Sequence, residues 1–290
     1  MSKKITLAKF AGFCYGVKRA VETVKKLKLE NPNKNIFVLG ELIHNSQVIK
    51  ELEELGIRTV DVLPENETGI CVIRSHGASP EVIEDIQNRG FELVDLTCPD
   101  VKKVQQQAVQ LAKEGDYVII VGKAEHPEVV AIKANAQKFT DKISVIADVS
   151  QLENIKDEIK IHKKVGVVVQ TTQRLETLQS IVTALIAIAK EIHLVNTICQ
   201  STTMRQNEAK ELAQSNDMVV VVGSKKSANT THLAEILQGI SKTVHIENDD
   251  ELANYKELLE DSENVAITAG ASTPQNIIDN VYKKIEGGQE

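Results

Sequence analysis

The stretch "FELVDLTCPDVKKVQ", residues 91–105, runs from a strand-like segment into a cysteine and then into a helical pattern. The same order occurs at "KITLAKFAGFCYGVKRAV", residues 4–21, and more loosely at "EIHLVNTICQSTTMRQ", residues 191–206. After Cys14, the apolar residues Val17, Ala20, Val21 and Val24 fall at helical spacing. A lone cysteine in such a turn is usually a small buried residue. Recurrence at one point of a repeated pattern argues instead for a thiolate, which a helix N-terminus stabilises.

The likeness continues downstream of each cysteine. The strands "IFVLG", "YVIIVG" and "MVVVVG" end at Gly40, Gly122 and Gly223, which lie 26, 24 and 24 residues past Cys14, Cys98 and Cys199. The polar loops "ELIHNS", "KAEHPE" and "SKKSANTTH" follow, each leading into a helical stretch. A second buried-type strand then ends in small polar residues in "ICVIRSHGASPE", "VGVVVQTTQRLE" and "VAITAGASTPQN". Alternating buried strands and amphipathic helices imply βαβ units and parallel sheets. The pattern predicts an α/β protein of three similar small parallel-sheet domains around a pseudo-threefold axis, with boundaries at residues 14–97, 98–197 and 198–290. The third unit lacks a closing strand and the first has a spare one, so residues 1–13 are expected to complete the third domain. In parallel sheets functional loops gather at the carboxyl ends of strands, where all three cysteines and all these polar loops lie.

Composition narrows the function classes. The chain has 290 residues, nine Phe or Tyr, no Trp and a net charge of −7. An acidic chain short of stacking side chains is a poor nucleic-acid binder. No apolar run approaches the length that spans a bilayer, and the basic N-terminus lacks the apolar core of a signal peptide. The four cysteines are far apart and do not form a disulfide framework. A cytoplasmic protein with reduced thiols, no membrane and no nucleic acid is expected.

Three recurring thiols point to a metal site. Structural zinc uses four ligands and close pairs such as C-x₂-C, which are missing. An iron–sulfur cluster accepts widely spaced cysteines. A nucleophilic cysteine would not explain the recurrence. Cys71, inside "ICVIR", has no counterpart in the other units and reads as core. The loops add His44, His76, His126, Glu128, Thr171, Thr172, Ser227, Asn229 and Ser272. Imidazoles, hydroxyls and an amide at helix N-termini make a cradle for phosphate or diphosphate, although turns and caps also favour Ser, Thr and Asn. The other histidines, His162, His193, His232 and His245, lack such placement and read as structural or exposed.

Together "GFCYGVKRAV", "LIHN", "SHG", "TCPDVKKV", "HPEV", "QTT", "TICQSTTMRQ", "GSKKSAN" and "AGAS" resemble the 4-hydroxy-3-methylbut-2-enyl diphosphate reductase family, in that family's order and over nearly the whole chain. The resemblance implies one 4Fe–4S cluster per chain, held by Cys14, Cys98 and Cys199. It implies an allylic diphosphate substrate, reductive dehydroxylation to isopentenyl and dimethylallyl diphosphate, and a one-electron donor such as ferredoxin or flavodoxin. It also implies roles: His44, His76, Ser227, Asn229 and Ser272 on the diphosphate, His126, Thr171 and Thr172 along the substrate, and Glu128 as proton source. The family commonly carries two serines before the asparagine, where this chain has Ser227 and Ala228. A hydroxyl contact is lost at Ala228, and its backbone N–H takes over. The oligomeric state is open, with a monomer favoured.

Two rival readings differ in testable ways. A quinolinate synthase-like condensing dehydratase would also use three cysteines, but "HPEV" and "QTT" favour the reductase. A cluster-based redox sensor would not need a diphosphate cradle. Lys18, Arg19, Lys102, Lys103 and Arg205 follow the cysteines and read either as solvated helix surface or as a basic collar for an acidic electron donor.

Overall fold

The computed structural model describes residues 3–287. The chain opens with β1 (Lys4–Leu7), α1 (Tyr15–Glu30), β2 (Ile36–Leu39), α2 (Ser46–Glu54), β3 (Ile57–Val60), β4 (Ile70–Ile73), α3 (Pro80–Asn88) and β5 (Glu92–Asp95). It continues with α4 (Pro99–Lys113), β6 (Tyr117–Val121), α5 (Pro127–Gln137), β7 (Ile143–Ile146), α6 (Lys156–His162), β8 (Lys164–Val169), α7 (Leu175–Ile186) and β9 (Glu191–Leu194). Last come α8 (Gln200–Ser215), β10 (Met218–Val222), α9 (Ala228–Gln238), β11 (Lys242–Ile246), α10 (Lys256–Glu260), β12 (Asn264–Ala269) and α11 (Gln275–Gly287).

The strands form three four-stranded sheets in which every pairing is parallel, ordered β3-β2-β4-β5, β7-β6-β8-β9 and β11-β10-β12-β1. This is the α/β class expected from the alternating pattern. The N-terminal strand β1 pairs with β12, with Lys4 opposite Asn264 and Leu7 opposite Ile267. The chain forms two compact units. One comprises residues up to Val21, Ile43–Leu52 and the chain from Gln200 onward, and holds the β1-containing sheet. The other comprises Glu22–Leu42 and Glu53–Cys199, and holds the other two sheets.

Local sequence explains the elements. In β6 and β10 every residue is buried, because central parallel strands are covered on both faces. Helix α4 starts with proline at its first position and Asp100 in its first turn, and has Lys113 in its last turn, matching the helix dipole. Its buried Val104, Ala108 and Leu111 form one stripe, which packs with Val129 and Ile132 of α5 against Val118, Ile120 and Val168. The opposite face of that sheet is covered by Leu178, Ile181 and Leu185 of α7. The cores are mainly aliphatic, with Tyr117 in one and Phe37 and Phe91 packed edge to face at 5.7 Å in another. Among the described residues no helix is long and apolar enough to cross a membrane.

Candidate active site

Each sheet reverses its strand order between its two central strands, and such a switch point opens a crevice at the strands' carboxyl ends. The loops flanking these crevices carry the histidine, glutamate, hydroxyl and amide candidates, while Cys14, Cys98 and Cys199 follow the edge strands β1, β5 and β9. His44 follows β2 and His76 follows β4. His126 and Glu128 follow β6, and Thr171 and Thr172 follow β8. Ser227 to Asn229 follow β10, and Ser272 follows β12.

In the unit holding β6 and β8, Glu128 spans the crevice. Its carboxylate accepts the Thr171 backbone N–H at 2.7 Å on Oε1 and the Thr171 hydroxyl at 2.8 Å on Oε2. The side chain is buried, 1% exposed. Burial pushes its pKa from 4.5 up to about 7, with Asp100 adding to the rise and the two Thr171 hydrogen bonds opposing it. The carboxyl therefore exchanges its proton near neutral pH, which suits a general acid.

His126 caps α5, its Nδ1 accepting the Glu128 backbone N–H at 3.2 Å. A neutral ring with an accepting Nδ1 carries its proton on Nε2, the form that donates to an anionic ligand. The His76 ring packs edge to face on His126 with centroids 5.4 Å apart. Thr172 accepts from Gln170 Nε2 at 3.0 Å, while Gln170 Oε1 accepts the Lys123 N–H at 3.1 Å. Gln170 thus ties together the loops after β6 and β8. It escaped selection from the sequence, although it opens the "QTT" motif. Gly122 makes room for it, since a Cβ there would lie 2.8 Å from Gln170 Oε1.

In the other unit Ser227 is the N-cap residue of α9 without using its side chain to cap. Its hydroxyl lies 3.5 Å from that of Ser272, which in turn reaches the His44 carbonyl at 3.4 Å. Asn229 is 5% exposed, and its Nδ2 is buried without a hydrogen-bond partner. A buried amide N–H left unmatched is costly, so this atom fits an anionic ligand. Ala228 is the first residue of α9, where backbone N–H groups have no intrahelical acceptor. An N–H at that position can serve an anion without a hydroxyl.

Cys14, Cys98 and Cys199 are half-buried and unbridged, and each immediately precedes a helix: α1, α4 and α8. Their backbone N–H groups donate to the carbonyls of Ala271, Ser75 and Thr171, the equivalent residues after β12, β4 and β8. Each sulfur thus stands at a helix N-terminus behind the same repeated hydrogen bond, and a thiolate there is the donor type that iron–sulfur clusters take. Cys71 does not fit: it is fully buried in β4, and burial pushes its thiol up to about 11.

Arg205 corrects the basic-collar reading. It is 3% exposed on the inner face of α8 and donates to the carbonyls of Phe10, Gly12 and Ala269. The β1–α1 loop turns there with carbonyls that need donors, and a guanidinium supplies several at once. Gly12, at φ +89°, allows that turn. Arg205 therefore supports the approach to Cys14, and Lys102 pairs with Asp95 at 2.7 Å.

The chain matches the family described as LytB protein over residues 5–286. It is 40% identical over 283 residues to 4-hydroxy-3-methylbut-2-enyl diphosphate reductase of Syntrophotalea carbinolica, covering 97% of this chain and 98% of that protein. The same-named protein of Geobacter sulfurreducens is 40% identical over 285 residues, covering 98% and 97%. Among solved structures, one described as (E)-4-hydroxy-3-methyl-but-2-enyl diphosphate reductase, the terminal enzyme of the non-mevalonate pathway, aligns with a TM-score of 0.71 at 35% identity, covering 98% of this chain and 99% of that one. The E-1-hydroxy-2-methyl-but-2-enyl-4-diphosphate reductase of Plasmodium falciparum aligns with a TM-score of 0.86 at 28% identity, covering 98% and 88%.

Proposed function

Since the chain belongs to the LytB protein family, with 4-hydroxy-3-methylbut-2-enyl diphosphate reductases as full-length relatives, we propose that it removes the hydroxyl of 4-hydroxy-3-methylbut-2-enyl diphosphate by reduction. Two electrons and two protons enter, and water leaves with isopentenyl or dimethylallyl diphosphate as product. Cys14, Cys98 and Cys199 hold a 4Fe–4S cluster, which when bound supplies electrons one at a time to the allylic C–O bond. A small one-electron carrier such as ferredoxin or flavodoxin delivers them. The protein works in the cytoplasm.

The single observation that carries this reading is the buried Glu128 carboxyl, hydrogen-bonded through both oxygens to Thr171. The reaction needs a proton at the departing oxygen and another at the carbon skeleton, and Glu128 holds one where bulk water is excluded. Thr171 orients the carboxyl and passes a proton onward through its hydroxyl. The α9 N-terminus, Ser227, Asn229 and Ser272 bind the diphosphate, with His44 and His76 adding N–H donors. Binding energy gathered on the diphosphate positions the reacting carbon. His126 and Thr172 line the substrate.

Anaerobic purification with iron and sulfide analysis, followed by turnover with a one-electron donor and product identification, tests the proposal. About four irons per chain and both five-carbon diphosphates are expected. Turnover of a different substrate, or a cluster-free active protein, would refute it.

A further inference from the structure

At the amino ends of the strands in the β6–β9 sheet, a second group of chemically capable side chains meets, away from the loops that carry His126 and Thr171. Glu114 ends α4, Asp116 precedes β6, Lys164 opens β8, and Glu191 and His193 lie on the edge strand β9. His193 pairs in register with Gly166 of β8, where a Cβ would lie 3.0 Å from Asp116 Oδ2. The glycine leaves the space that the carboxylate occupies.

His193 Nδ1 lies 2.9 Å from Asp116 Oδ2 and 3.9 Å from Glu114 Oε2. On the other side of the ring, Nε2 lies 2.8 Å from Glu191 Oε1. Asp116 is fully buried, and no hydrogen bond of good geometry reaches either of its oxygens. Lys164 Nζ stands 3.1 Å from Oδ1, on the side away from the imidazole. Three carboxylates therefore face one ammonium. The same field holds Lys164 above its ordinary pKa, Asp116 contributing most and Glu191 and Glu114 adding to it.

The histidine ring sharpens the point. With Nε2 on Glu191, the second ring nitrogen, Nδ1, is the one turned to the other carboxylates. It then points at the Asp116 carboxylate, with Glu114 beside it. A ring nitrogen and two carboxylates facing one another make a donor set for a cation. We propose that Glu114, Asp116 and His193 bind a divalent transition-metal ion of the zinc class. Lys164 neutralises the outer oxygen of Asp116, and Glu191 fixes the ring through its second nitrogen.

The dimensions suit this ion. One ligand atom from each residue lies within 4.8 Å of the others. Zinc takes N and O ligands at about 2.0–2.2 Å, so tetrahedral ligand atoms stand roughly 3.3 Å apart. The observed separations of 2.9 and 3.9 Å bracket that value. Gln110 Nε2 donates to Glu114 Oε1 at 2.9 Å, which leaves Oε2 as the atom facing the imidazole, and the 43% exposure of the side chain leaves an entry path. One imidazole and two carboxylates suit zinc better than magnesium or calcium, which take six or more oxygens or retain water. The carboxylate–histidine pairing through Glu191 is the usual way such a ligand is oriented.

Isothermal titration of the purified enzyme with Zn²⁺, beside His193→Ala, Glu114→Gln and Glu191→Gln, tests the site. Subtracting the His193→Ala titration cancels any zinc taken by Cys14, Cys98 or Cys199. Wild type should bind one equivalent more than His193→Ala, and Glu191→Gln should bind it about 10–100-fold more weakly. Glu114→Gln changes an exposed side chain, so its weaker binding would not reflect misfolding. Turnover should be unchanged in all three variants. In zinc-soaked crystals, anomalous scattering should peak between the three ligands. Equal stoichiometry and affinity in wild type and His193→Ala, or a peak elsewhere, would reduce the cluster to an ion-pair network and overturn the proposal.

Discussion

Replacing Glu128 with Gln separates chemistry from architecture. Gln keeps an oxygen to accept the Thr171 N–H, now at 2.7 Å, and places an NH₂ against the Thr171 hydroxyl, now at 2.8 Å, which rotates to accept. The fold is thus preserved, and only the ability to carry a proton and a charge is lost. The folded-state pKa of about 7 lies above the ordinary 4.5, so the folded chain holds this proton more tightly than the unfolded chain. Glu128 therefore costs no stability below pH 4.5, and stability falls as pH rises through 7. The shift from 4.5 to about 7 corresponds to about 3 kcal/mol. For 290 residues the unfolding entropy is about 0.6 kcal/mol per degree, so this is about 5 °C in Tm. Glu128→Gln should melt about 5 °C above wild type at pH 8 and close to it at pH 5, while turnover falls about 10²–10⁴-fold. Scanning calorimetry across this pH range, with product assays, measures both. Parallel Tm–pH curves for wild type and variant would show that Glu128 is not a buried titrating acid. Near-normal turnover would exclude it as proton donor.

Other outcomes follow from the same geometry. Serine at Cys14, Cys98 or Cys199 should abolish the cluster's visible absorption, whereas Cys71→Ser, in the core, should keep it and lower only Tm. Arg205→Met leaves the Phe10, Gly12 and Ala269 carbonyls without their donor and should cost about 2–4 kcal/mol in urea unfolding, with reduced iron content. Asn229→Ala should raise KM for the diphosphate substrate at least about tenfold and leave Tm within a degree or two, since its Nδ2 makes no internal bond to lose; unchanged KM would remove Asn229 from the cradle.

Much of this was legible in the order of residues because central parallel strands announce themselves. "YVIIV" and "MVVVV" are buried on both faces, so each reads as an unbroken apolar run followed by a loop. The candidate residues sit on those loops, which is why Glu128, Thr171 and Asn229 could be picked out by position. Arg205 was not legible. A charged residue two turns into a helix usually faces water, and its burial depends on carbonyls almost two hundred positions earlier. Gln170 was hidden because its role lies in joining two loops that only the sheet brings together. The Glu114–Asp116–His193 cluster likewise needs three elements to close, and no local spacing signals it.

The pairing of β1 with β12 has a consequence for how the protein is made. Lys4 waits for Asn264, 260 positions later, before it finds its neighbour. At ribosomal speeds of about 5–20 residues per second, that interval is roughly 13–50 seconds. For most of it the Phe10–Gly12 turn lacks Arg205, and beyond its end Cys14 still waits for the Ala271 carbonyl that fixes its backbone. The nascent chain thus displays Cys14 on an unanchored segment until strand β12 is made, and β12 is the piece that completes its surroundings.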